Sequence, residues 1–326
     1  MSNLSLVVAG EMNIDIIVSG LPNFPKSGGL VNGDKLEFGP GGKSRNIAEM
    51  AAFLLPRGSV AMVAKTAEDP YGLWKLPVEA LQRKGIHTEY IKVLSARQAR
   101  QLPGFALILV DKNGNNQIIG APGITRYLHP EDIDAADELF GIVSANKGFV
   151  VFTGNTPLDT AEHLAMKAAA LGISVLFDPG GADSIPKLKP LLSKGIFLIK
   201  PNEQEAEELT RVKVVDFETA RIAAEQLRNF GAQNVLITHG ANGAYLFAGS
   251  IQKHIPAPKL LNDGTKDETG CGDQVLAALC ACMVEGKSLV EAAEIATLAG
   301  TAQFYRRGIR PLKREELDAL TQSSAA

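Results

Sequence analysis

Cysteine, aromatic residues and net positive charge are all scarce in this sequence. Its 326 residues include three cysteines, one tryptophan and 6% aromatic residues, and the formal net charge is -3. An odd number of cysteines, with none at metal-ligand spacing, argues against a disulfide framework and a zinc site, so we expect a reducing, cytoplasmic location. The charge balance, without a dense basic cluster, argues against a nucleic-acid-binding face.

Long apolar runs are missing as well. No uninterrupted run approaches the roughly 18 residues that cross a bilayer. The apolar start of the chain lacks a basic segment and is interrupted by Glu11 and Asp15, so it predicts a first strand and not a signal peptide. We therefore expect no membrane partner. The 45% of apolar residues can form a core, and the length suits one domain, alone or with a subdomain.

Short apolar runs alternate with helix-like segments through the second half of the chain. The runs end near Phe152, Asp178, Ile199 and Thr238, and amphipathic segments such as 218–230 separate them. Nearly continuous apolar strands between amphipathic helices predict a parallel sheet that is covered on both faces. Ligand sites in such sheets lie at the carboxyl ends of the strands.

Two intervals break this alternation. Residues 16–38 contain prolines and a Gly-Gly pair and predict extended strands and turns without a helix. Residues 90–123 contain strand-like segments around Asn113-Gly114, a dipeptide that favours a hairpin turn. The two intervals therefore predict strands outside the alternating pattern.

The most informative segment is 267–273, Asp-Glu-Thr-Gly-Cys-Gly-Asp, which precedes an apolar helical run. The first N–H groups of a helix lack intrahelical partners and attract anions, and glycines let the backbone approach a phosphate. Asp273, at the edge of this turn, could take the proton of a hydroxyl that attacks a nucleotide phosphate. The alternative is a tight turn in which the carboxylate only caps the helix.

A second glycine-rich segment lies far upstream, at residues 38–54. It begins Phe-Gly-Pro-Gly-Gly-Lys-Ser-Arg-Asn and continues into a helical run. Together with 267–273, it resembles the two signatures of the ribokinase family of carbohydrate kinases, also called the PfkB family. Other segments resemble the family in the same order along the chain: 11–15, 63–72, 200–207 and 237–243.

The resemblance implies a fold and an activity. The fold is an α/β, ribokinase-like three-layer sandwich with a mostly parallel central sheet and a small β-sheet lid over the sugar. It would form a single kinase domain over residues 1–326, with lid segments at about 16–38 and 90–123, and would assemble as a homodimer through the lid. The activity is ATP-dependent phosphorylation of a primary hydroxyl of a small sugar, with Mg²⁺ as cofactor.

The resemblance also implies catalytic residues. Asp273 would be the general base, while Gly270, Cys271 and Gly272 would donate backbone N–H groups to the charge on the transferred phosphoryl group. The alternative for Cys271 is a nucleophilic thiol, because a helix N-terminus can lower a thiol pKa. No base lies beside it in sequence, which favours the backbone role.

Two metal sites are implied. Asn202 and Glu205 would orient Mg²⁺ through its water shell, since Mg²⁺ usually keeps several waters. Their alternative is a helix cap with a carboxylate in the first turn. Asp267 and Thr269 match a monovalent-cation site, which makes K⁺ an open second cofactor, although Leu312 stands where potassium-activated members place serine.

The expected sugar-binding residues combine donors and acceptors, as a hydroxylated ligand requires. They are Asn13, Asp15, Gly42, Lys43, Asn46 and Asn155. Asn155 stands where ribokinase-like members often carry a glutamate, which leaves ribose itself in doubt. On the nucleotide side, Thr238 and Gly240 are expected near the phosphates and Thr297 near the base.

Three alternatives stay open for the substrate and activity. Arg97, Arg100 and Arg126, in or beside the lid, could bind the phosphate of a sugar phosphate, or they could be solvated surface charges. A nucleoside kinase would use the same base on a ribose 5'-hydroxyl. A catalytically silent sugar- or nucleotide-binding regulator is the third alternative, and the intact turn ending at Asp273 argues against it.

Overall fold

The computed structural model describes residues 3–182, 184–260 and 264–325, and strands and helices alternate through most of them. The strands are β1 Leu6–Ala9, β2 Asn13–Leu21, β3 Lys35–Gly41, β4 Val60–Ala67, β5 Ile91–Leu94, β6 Gly104–Asp111, β7 Asn116–Ala121, β8 Phe149–Thr153, β9 Ser174–Asp178, β10 Ile196–Ile199, β11 Asn234–Thr238, β12 Ala244–Ala248 and β13 Ile251–Ile255. The α-helices are α1 Lys43–Leu54, α2 Lys75–Arg83, α3 Pro130–Asp134, α4 Asp137–Ala145, α5 Leu158–Ala170, α6 Glu203–Thr210, α7 Phe217–Asn229, α8 Cys271–Val284, α9 Leu289–Phe304 and α10 Arg314–Ala325. Short 3-10 helices cover Gly123–Tyr127, Ile185–Lys194 and Gly240–Asn242.

The large sheet has the strand order β13-β12-β11-β10-β9-β8-β1-β4-β5. The pairs from β11 through to β5 are parallel, which confirms the predicted mostly parallel sheet. At one edge, β12 and β13 run antiparallel to their neighbours. In this sheet β4 lies on one side of β1, and β8, which follows later in the chain, lies on the other side of β1. The carboxyl ends of β1 and β8 therefore form the switch point, where ligands bind in open α/β sheets.

Both faces of the large sheet are covered, as the continuous apolar strands predict. Leu6 and Val8 of β1 pack into a core with α1, α8 and α9, whereas Val7 and Ala9 pack on the other face with α4, α5 and α7. Successive side chains of a strand point to opposite faces, so each buried strand contributes to both cores. The result is a helix-sheet-helix sandwich. None of the helices in the described ranges is long and apolar enough to span a bilayer.

The small sheet has the order β3-β2-β6-β7. Its β6–β7 hairpin turns at Asn113-Gly114, as predicted. The predicted interval 90–123 divides between the two sheets, because β5 pairs with β4 in the large sheet. The physical reason is burial: Ile91 of β5 packs into the same core as α1 and α8.

Candidate active site

The turn that precedes α8 forms one side of the site. Gly270 is the N-cap of α8 and has a φ of 74°, in the left-handed region that favours glycine. Asp273 lies in the first turn of the helix and is only 4% exposed. The Cys271 N–H donates to the Glu268 carbonyl oxygen at 3.2 Å, so this donor is engaged within the turn. A β-carbon at position 272 would lie 3.3 Å from the Lys200 ammonium, which places that cation beside the turn.

Two residues of α1 hold the Asp273 carboxylate. The Asn46 amide donates to one oxygen at 3.1 Å, and the Lys43 ammonium lies 3.2 Å from the other. Because α1 packs directly on α8, the two predicted signatures meet in space. The carboxylate is therefore fixed at both oxygens by residues from the other glycine-rich segment.

A cluster of opposite charges surrounds Lys43. Asp178, at the carboxyl end of β9, lies 3.0 Å from the Lys200 ammonium and 3.6 Å from that of Lys43. Burial raises the pKa of Asp178, but the two ammonium groups outweigh it and hold that pKa below its ordinary value. Burial likewise opposes the charge of Lys43, but Asp178, Asp273 and Glu205 together raise the pKa of its ammonium. The cluster is therefore ionised at Lys43 and Asp178.

Asn202 and Glu205 form a capping box at the start of α6. The Glu205 N–H donates to the Asn202 side chain at 2.7 Å, and the Asn202 N–H donates to the Glu205 carboxylate at 2.9 Å. This geometry is that of the helix cap, which the sequence offered as the alternative to a metal-binding role for these two residues. Burial, and then the charge of Asp178, raise the pKa of Glu205.

The same carboxylate also borders a small acidic cradle. A β-carbon at Gly180 would come within 2.6 Å of Glu205 Oε1 and 2.8 Å of Asp178 Oδ1, so the absent side chain leaves room between these oxygens. Carboxylate oxygens around such a space are the ligands that Mg²⁺ and its waters prefer. The residues present therefore fit a magnesium site that is held in part through water.

Asn13 and Asp15 project from the same face of β2, because they are two residues apart. Small residues flank them across the sheet: a β-carbon at Gly41 would lie 2.0 Å from Asp15 Oδ1, and one at Gly104 would lie 2.1 Å from Asn13 Oδ1. Only glycine leaves these polar side chains in place. The small sheet thus presents an amide and a carboxylate on one face.

Glu11, which follows β1 at the switch point, connects the predicted sugar-binding residues. Its carboxylate accepts the Lys43 N–H at 2.8 Å, the Asn13 amide at 3.3 Å, and a hydrogen bond from the Asn155 amide. Burial raises the pKa of Glu11, although the three donors oppose the rise. Glu11 therefore holds Asn13 of β2 and Asn155, in the turn after β8, beside the start of α1.

Gly42 allows α1 to begin at this point. Its φ is 96°, and a β-carbon there would lie 2.9 Å from Met12 Cα and 3.0 Å from the Asn13 nitrogen. The close approach brings the Lys43 N–H to Glu11 while the Lys43 side chain reaches Asp273. Lys43 consequently links the two halves of the candidate site.

The Cys271 thiol does not have the properties of a nucleophile. Burial raises its pKa to about 12, and the charges of Asp267, Glu268 and Asp273 act in the same direction. These effects are opposite to the lowering that a helix N-terminus alone would produce. The structure thus argues against the nucleophilic thiol, while the Cys271 N–H is already bonded to the Glu268 carbonyl oxygen.

Asp267 and Thr269 lie in the turn before α8. The Asp267 carboxylate accepts the Thr269 N–H at 2.9 Å and the Gly308 N–H at 2.8 Å. The amide nitrogen of Gln303 donates to the carbonyl oxygens of the same two residues, Thr269 at 3.1 Å and Gly308 at 2.7 Å. Hydrogen bonds thus engage the Asp267 carboxylate and the Thr269 carbonyl oxygen, in the two residues that the resemblance assigns to a monovalent cation.

The remaining predicted residues are not among the hydrogen-bond and ion-pair partners of Lys43 and Asp273 in the described part of the chain. Thr238 ends β11 and donates its N–H to the Pro201 carbonyl, next to Asn202. Gly240 begins a 3-10 helix with open space around it. Thr297 is buried in α9, where its hydroxyl donates to the Ala293 carbonyl at 2.8 Å. The remaining side chains are exposed: Arg97, Arg100 and Arg126.

Sequence reasoning missed three charged residues of the cluster: Glu11, Asp178 and Lys200. Each follows or ends a buried strand of the parallel sheet, at its carboxyl end. That position was an available signal, because sites in such sheets lie there. Their convergence on Lys43 and Asp273 required the strand order, which the sequence does not specify.

Known proteins share both the sequence and the fold. A sequence profile of the pfkB family carbohydrate kinases matches residues 3–314. A ribokinase of Haemophilus influenzae is 30% identical over 319 residues, covering 97% of this chain and 98% of the relative. A deoxyribokinase of Salmonella typhi is 28% identical over 306 residues, covering 94% of each. The structure of Arabidopsis thaliana ribokinase complexed with ribose and ATP matches with a TM-score of 0.81 and 28% identity, covering 97% and 98% of the two chains.

The raised pKa of the Asp15 carboxyl predicts that the stability of the protein depends on pH. Burial raises its pKa from 3.8 to about 6, with Arg45 opposing the rise and Glu11 adding to it. The folded state then binds the proton more tightly than the unfolded state, so the free energy of unfolding falls as pH rises through this range. We expect Asp15→Asn to gain stability over the parent by about 2 kcal/mol between about pH 4 and pH 7.

Urea unfolding of both proteins across this pH range measures the difference. Glu37→Gln, which removes an exposed carboxylate from the neighbouring strand, controls for the loss of one negative charge. A stability difference between Asp15→Asn and the parent that does not change with pH would contradict the assignment.

Proposed function

Because the chain belongs to the pfkB family of carbohydrate kinases, we propose that this ATP-dependent kinase phosphorylates a primary hydroxyl of a small neutral sugar, with Asp273 as the general base. The observation that carries the proposal is the position of the Asp273 carboxylate. It lies at the N-terminus of α8, and Lys43, one of the two α1 residues that hold it, also donates its N–H to Glu11 at the switch point.

Asp273 would take the proton of the sugar hydroxyl as that oxygen attacks the terminal phosphate. The Lys43 and Asn46 contacts would orient the carboxylate and keep it available for this one proton. Since phosphoryl transfer needs little covalent chemistry from the protein, positioning and charge stabilisation supply most of the rate. The burial of Asp273 supports this role, because it strengthens electrostatic interactions around the carboxylate.

Negative charge on the transferred group would be stabilised at the turn of Gly270 and Gly272. The N-terminus of α8 supplies the positive end of the helix dipole, and glycine permits close approach of the phosphate. Lys200, whose ammonium lies beside Gly272, would add a full positive charge. We include Lys200 in the site for this reason.

Mg²⁺ would be held by Glu205 and Asn202 through water, with Asp178 at the same cradle. When bound with the nucleotide, the ion would offset phosphate charge. The capping box is compatible with this role, because it fixes the Glu205 carboxylate while Oε1 still borders the cradle. Thr238 and Gly240, near Asn202 in the fold, would lie on the nucleotide side, and Thr297 would approach the base.

The sugar would lie between the small sheet and the switch point. Asp15 would accept hydroxyl protons, and Asn13 and Asn155 would complete a set of donors and acceptors. Relatives of similar identity are a ribokinase and a deoxyribokinase, which supports a pentose-sized sugar without deciding its hydroxyl pattern. The exposed positions of Arg97, Arg100 and Arg126 support an uncharged substrate over a sugar phosphate.

We also propose that the protein is a single-domain kinase that dimerises through the small sheet, its lid. Strand register puts Phe38, Ile16, Leu107 and Ile119 in one row on the face opposite Asp15. This apolar row is partly exposed, and exposed apolar patches often mark interfaces. The three free thiols support a reducing, cytoplasmic location.

Replacement of Asp273 tests the base directly. Asp273→Asn keeps the size and loses the proton acceptor, so kcat should fall by about 10²- to 10⁴-fold while ATP still binds. Glu268→Gln, an exposed carboxylate of the same turn, is the matched control and should keep kcat within about threefold. Steady-state kinetics and ATP titration calorimetry give the two readouts. A kcat for Asp273→Asn close to that of the control would remove Asp273 from the mechanism.

The substrate class can be decided with a panel of sugars, sugar phosphates and nucleosides assayed for ADP release. With the best neutral sugar, Asn155→Ala should cost about 1 to 3 kcal/mol in kcat/KM, because a hydroxyl loses its partner. Alanine at Arg97, Arg100 or Arg126 should change kcat/KM little. A larger loss in an arginine mutant, weakened by salt, would instead indicate an anionic substrate.

The proposed dimer predicts an asymmetry between two adjacent isoleucines. Ile118 and Ile119 are 58% and 59% exposed and point to opposite faces of β7. Ile119→Asp should produce monomers in sedimentation velocity at micromolar concentration, whereas Ile118→Asp should leave the dimer intact. Equal effects of the two substitutions, or a monomeric parent protein, would exclude this interface.

A further inference from the structure

Gln303 joins the turn before α8 to the turn after α9. Its side chain is fully buried at 0% exposure. The amide nitrogen donates to the carbonyl oxygens of Thr269 and Gly308, while the Asp267 carboxylate accepts the N–H groups of the same two residues. The Asp267 N–H also donates to the Phe304 carbonyl at 2.9 Å. The turn that sets the start of α8 is thus held from one side by a buried amide.

The oxygens around this amide are the kind that bind a monovalent cation. Converging backbone carbonyls beside a carboxylate are typical ligands for such ions. Here, however, the two hydrogens of the Gln303 amide satisfy one carbonyl each. An ion bound to the same two oxygens would have to occupy the volume of the amide nitrogen. The residues present therefore do not fit K⁺.

We propose that Gln303 replaces a monovalent cation in this kinase, so that the turn of the anion hole is ordered without K⁺. Gln303 acts as a positioning residue, because it contacts the turn and not the substrate. The inference rests on the proposed function for its effect on turnover, but the absence of ion binding can be tested without catalysis.

The orientation of the amide supports this assignment. The flipped amide would place its oxygen against two carbonyl oxygens, so the hydrogen-bond network fixes the nitrogen on their side. Among the described residues, none donates to the buried Gln303 Oε1. The side chain thus leaves a buried acceptor unpaired while it supplies both donors, and an unpaired acceptor is costly. This cost indicates that the carbonyl oxygens of Thr269 and Gly308 need the two hydrogen-bond donors of the amide.

Neighbouring residues are consistent with a site that needs no ion. Leu312, which replaces the serine of potassium-activated members, is buried in the apolar core. Burial raises the pKa of Asp267, but hydrogen bonds from Thr269 and Gly308, with a smaller contribution from the charge of Arg307, hold that pKa below its ordinary value. Groups of the protein therefore already stabilise the charge of the carboxylate that a bound ion would need.

The parent protein provides the first test. Its kcat and KM for ATP should change less than about twofold when K⁺ replaces tetramethylammonium at constant ionic strength. Its Tm should not rise with K⁺, since a ligand that binds only the folded state would raise it. A saturable increase of severalfold in kcat, or a saturable rise in Tm that is specific to K⁺, would overturn the proposal.

Two substitutions separate the donors of Gln303 from its volume. Gln303→Ala removes the amide and leaves space, so we expect kcat to fall about tenfold without K⁺ and to recover in K⁺ to within about threefold of the parent. The same variant should gain about 2 °C or more in Tm with saturating K⁺. Gln303→Met removes the donors but fills the space, so its loss should not be recovered by K⁺.

A control separates this effect from general damage to the core. Gln274, also buried, accepts the Leu312 N–H at 3.1 Å and does not contact the two carbonyls. Gln274→Ala should lose stability without any response to K⁺. Recovery of Gln303→Met by K⁺, or no response of folded Gln303→Ala in either kcat or Tm, would contradict the proposal. If no sugar is phosphorylated by any variant, the proposed function fails while the Tm measurements still decide the role of Gln303.

Discussion

The contact between Lys43 and Asp273 is the interaction on which the rest of the site depends. Lys43 begins α1, and its backbone N–H binds Glu11 at the end of β1 while its ammonium lies 3.2 Å from Asp273 at the start of α8. One residue therefore sets the distance between the proposed sugar side and the proposed phosphoryl-transfer side of the site. The geometry is possible because Gly42 adopts a positive φ and lets the backbone of α1 approach β2. A β-carbon at position 42 would lie 2.9 Å from Met12 Cα, so a larger residue would require the backbone to shift.

The charges around Lys43 form a network of five groups and not a set of independent pairs. Two ammonium groups, of Lys43 and Lys200, lie among the carboxylates of Asp178, Asp273 and Glu205. Removal of charge from water is costly, and attraction between partners offsets that cost only when each group is paired. Phosphate groups of a nucleotide would bring further negative charge to this network. In the proposed function, the two lysines and a magnesium ion would together offset this charge beside the glycine turn.

The glycines of the small sheet show how a binding surface can be specified by absence of side chains. Gly41 and Gly104 leave room for Asp15 and Asn13, whose polar atoms would otherwise collide with a β-carbon. The raised pKa of Asp15 indicates that the carboxylate is held in a poorly hydrated position before any ligand binds. Hydroxyl groups of a sugar would replace the missing water and favour the ionised form. If Asp15 is the hydroxyl acceptor proposed above, the stability lost to its burial is the kind of cost that is common at functional sites.

The sequence by itself determined the alternation of strands and helices, the hairpin at Asn113-Gly114 and the two glycine-rich turns, because hydrophobic periodicity and turn chemistry are local properties. Through a resemblance in motif order, it also predicted that Asp273, Lys43 and Asn46 belong to one site, and the structure brings these three side chains into contact. Only the tertiary structure decided that β5 belongs to the large sheet, that Glu11, Asp178 and Lys200 converge on Lys43, and that Gln303 binds the turn before α8. These contacts join residues that are far apart in the chain, and their partners depend on strand order and helix packing, which no local pattern encodes.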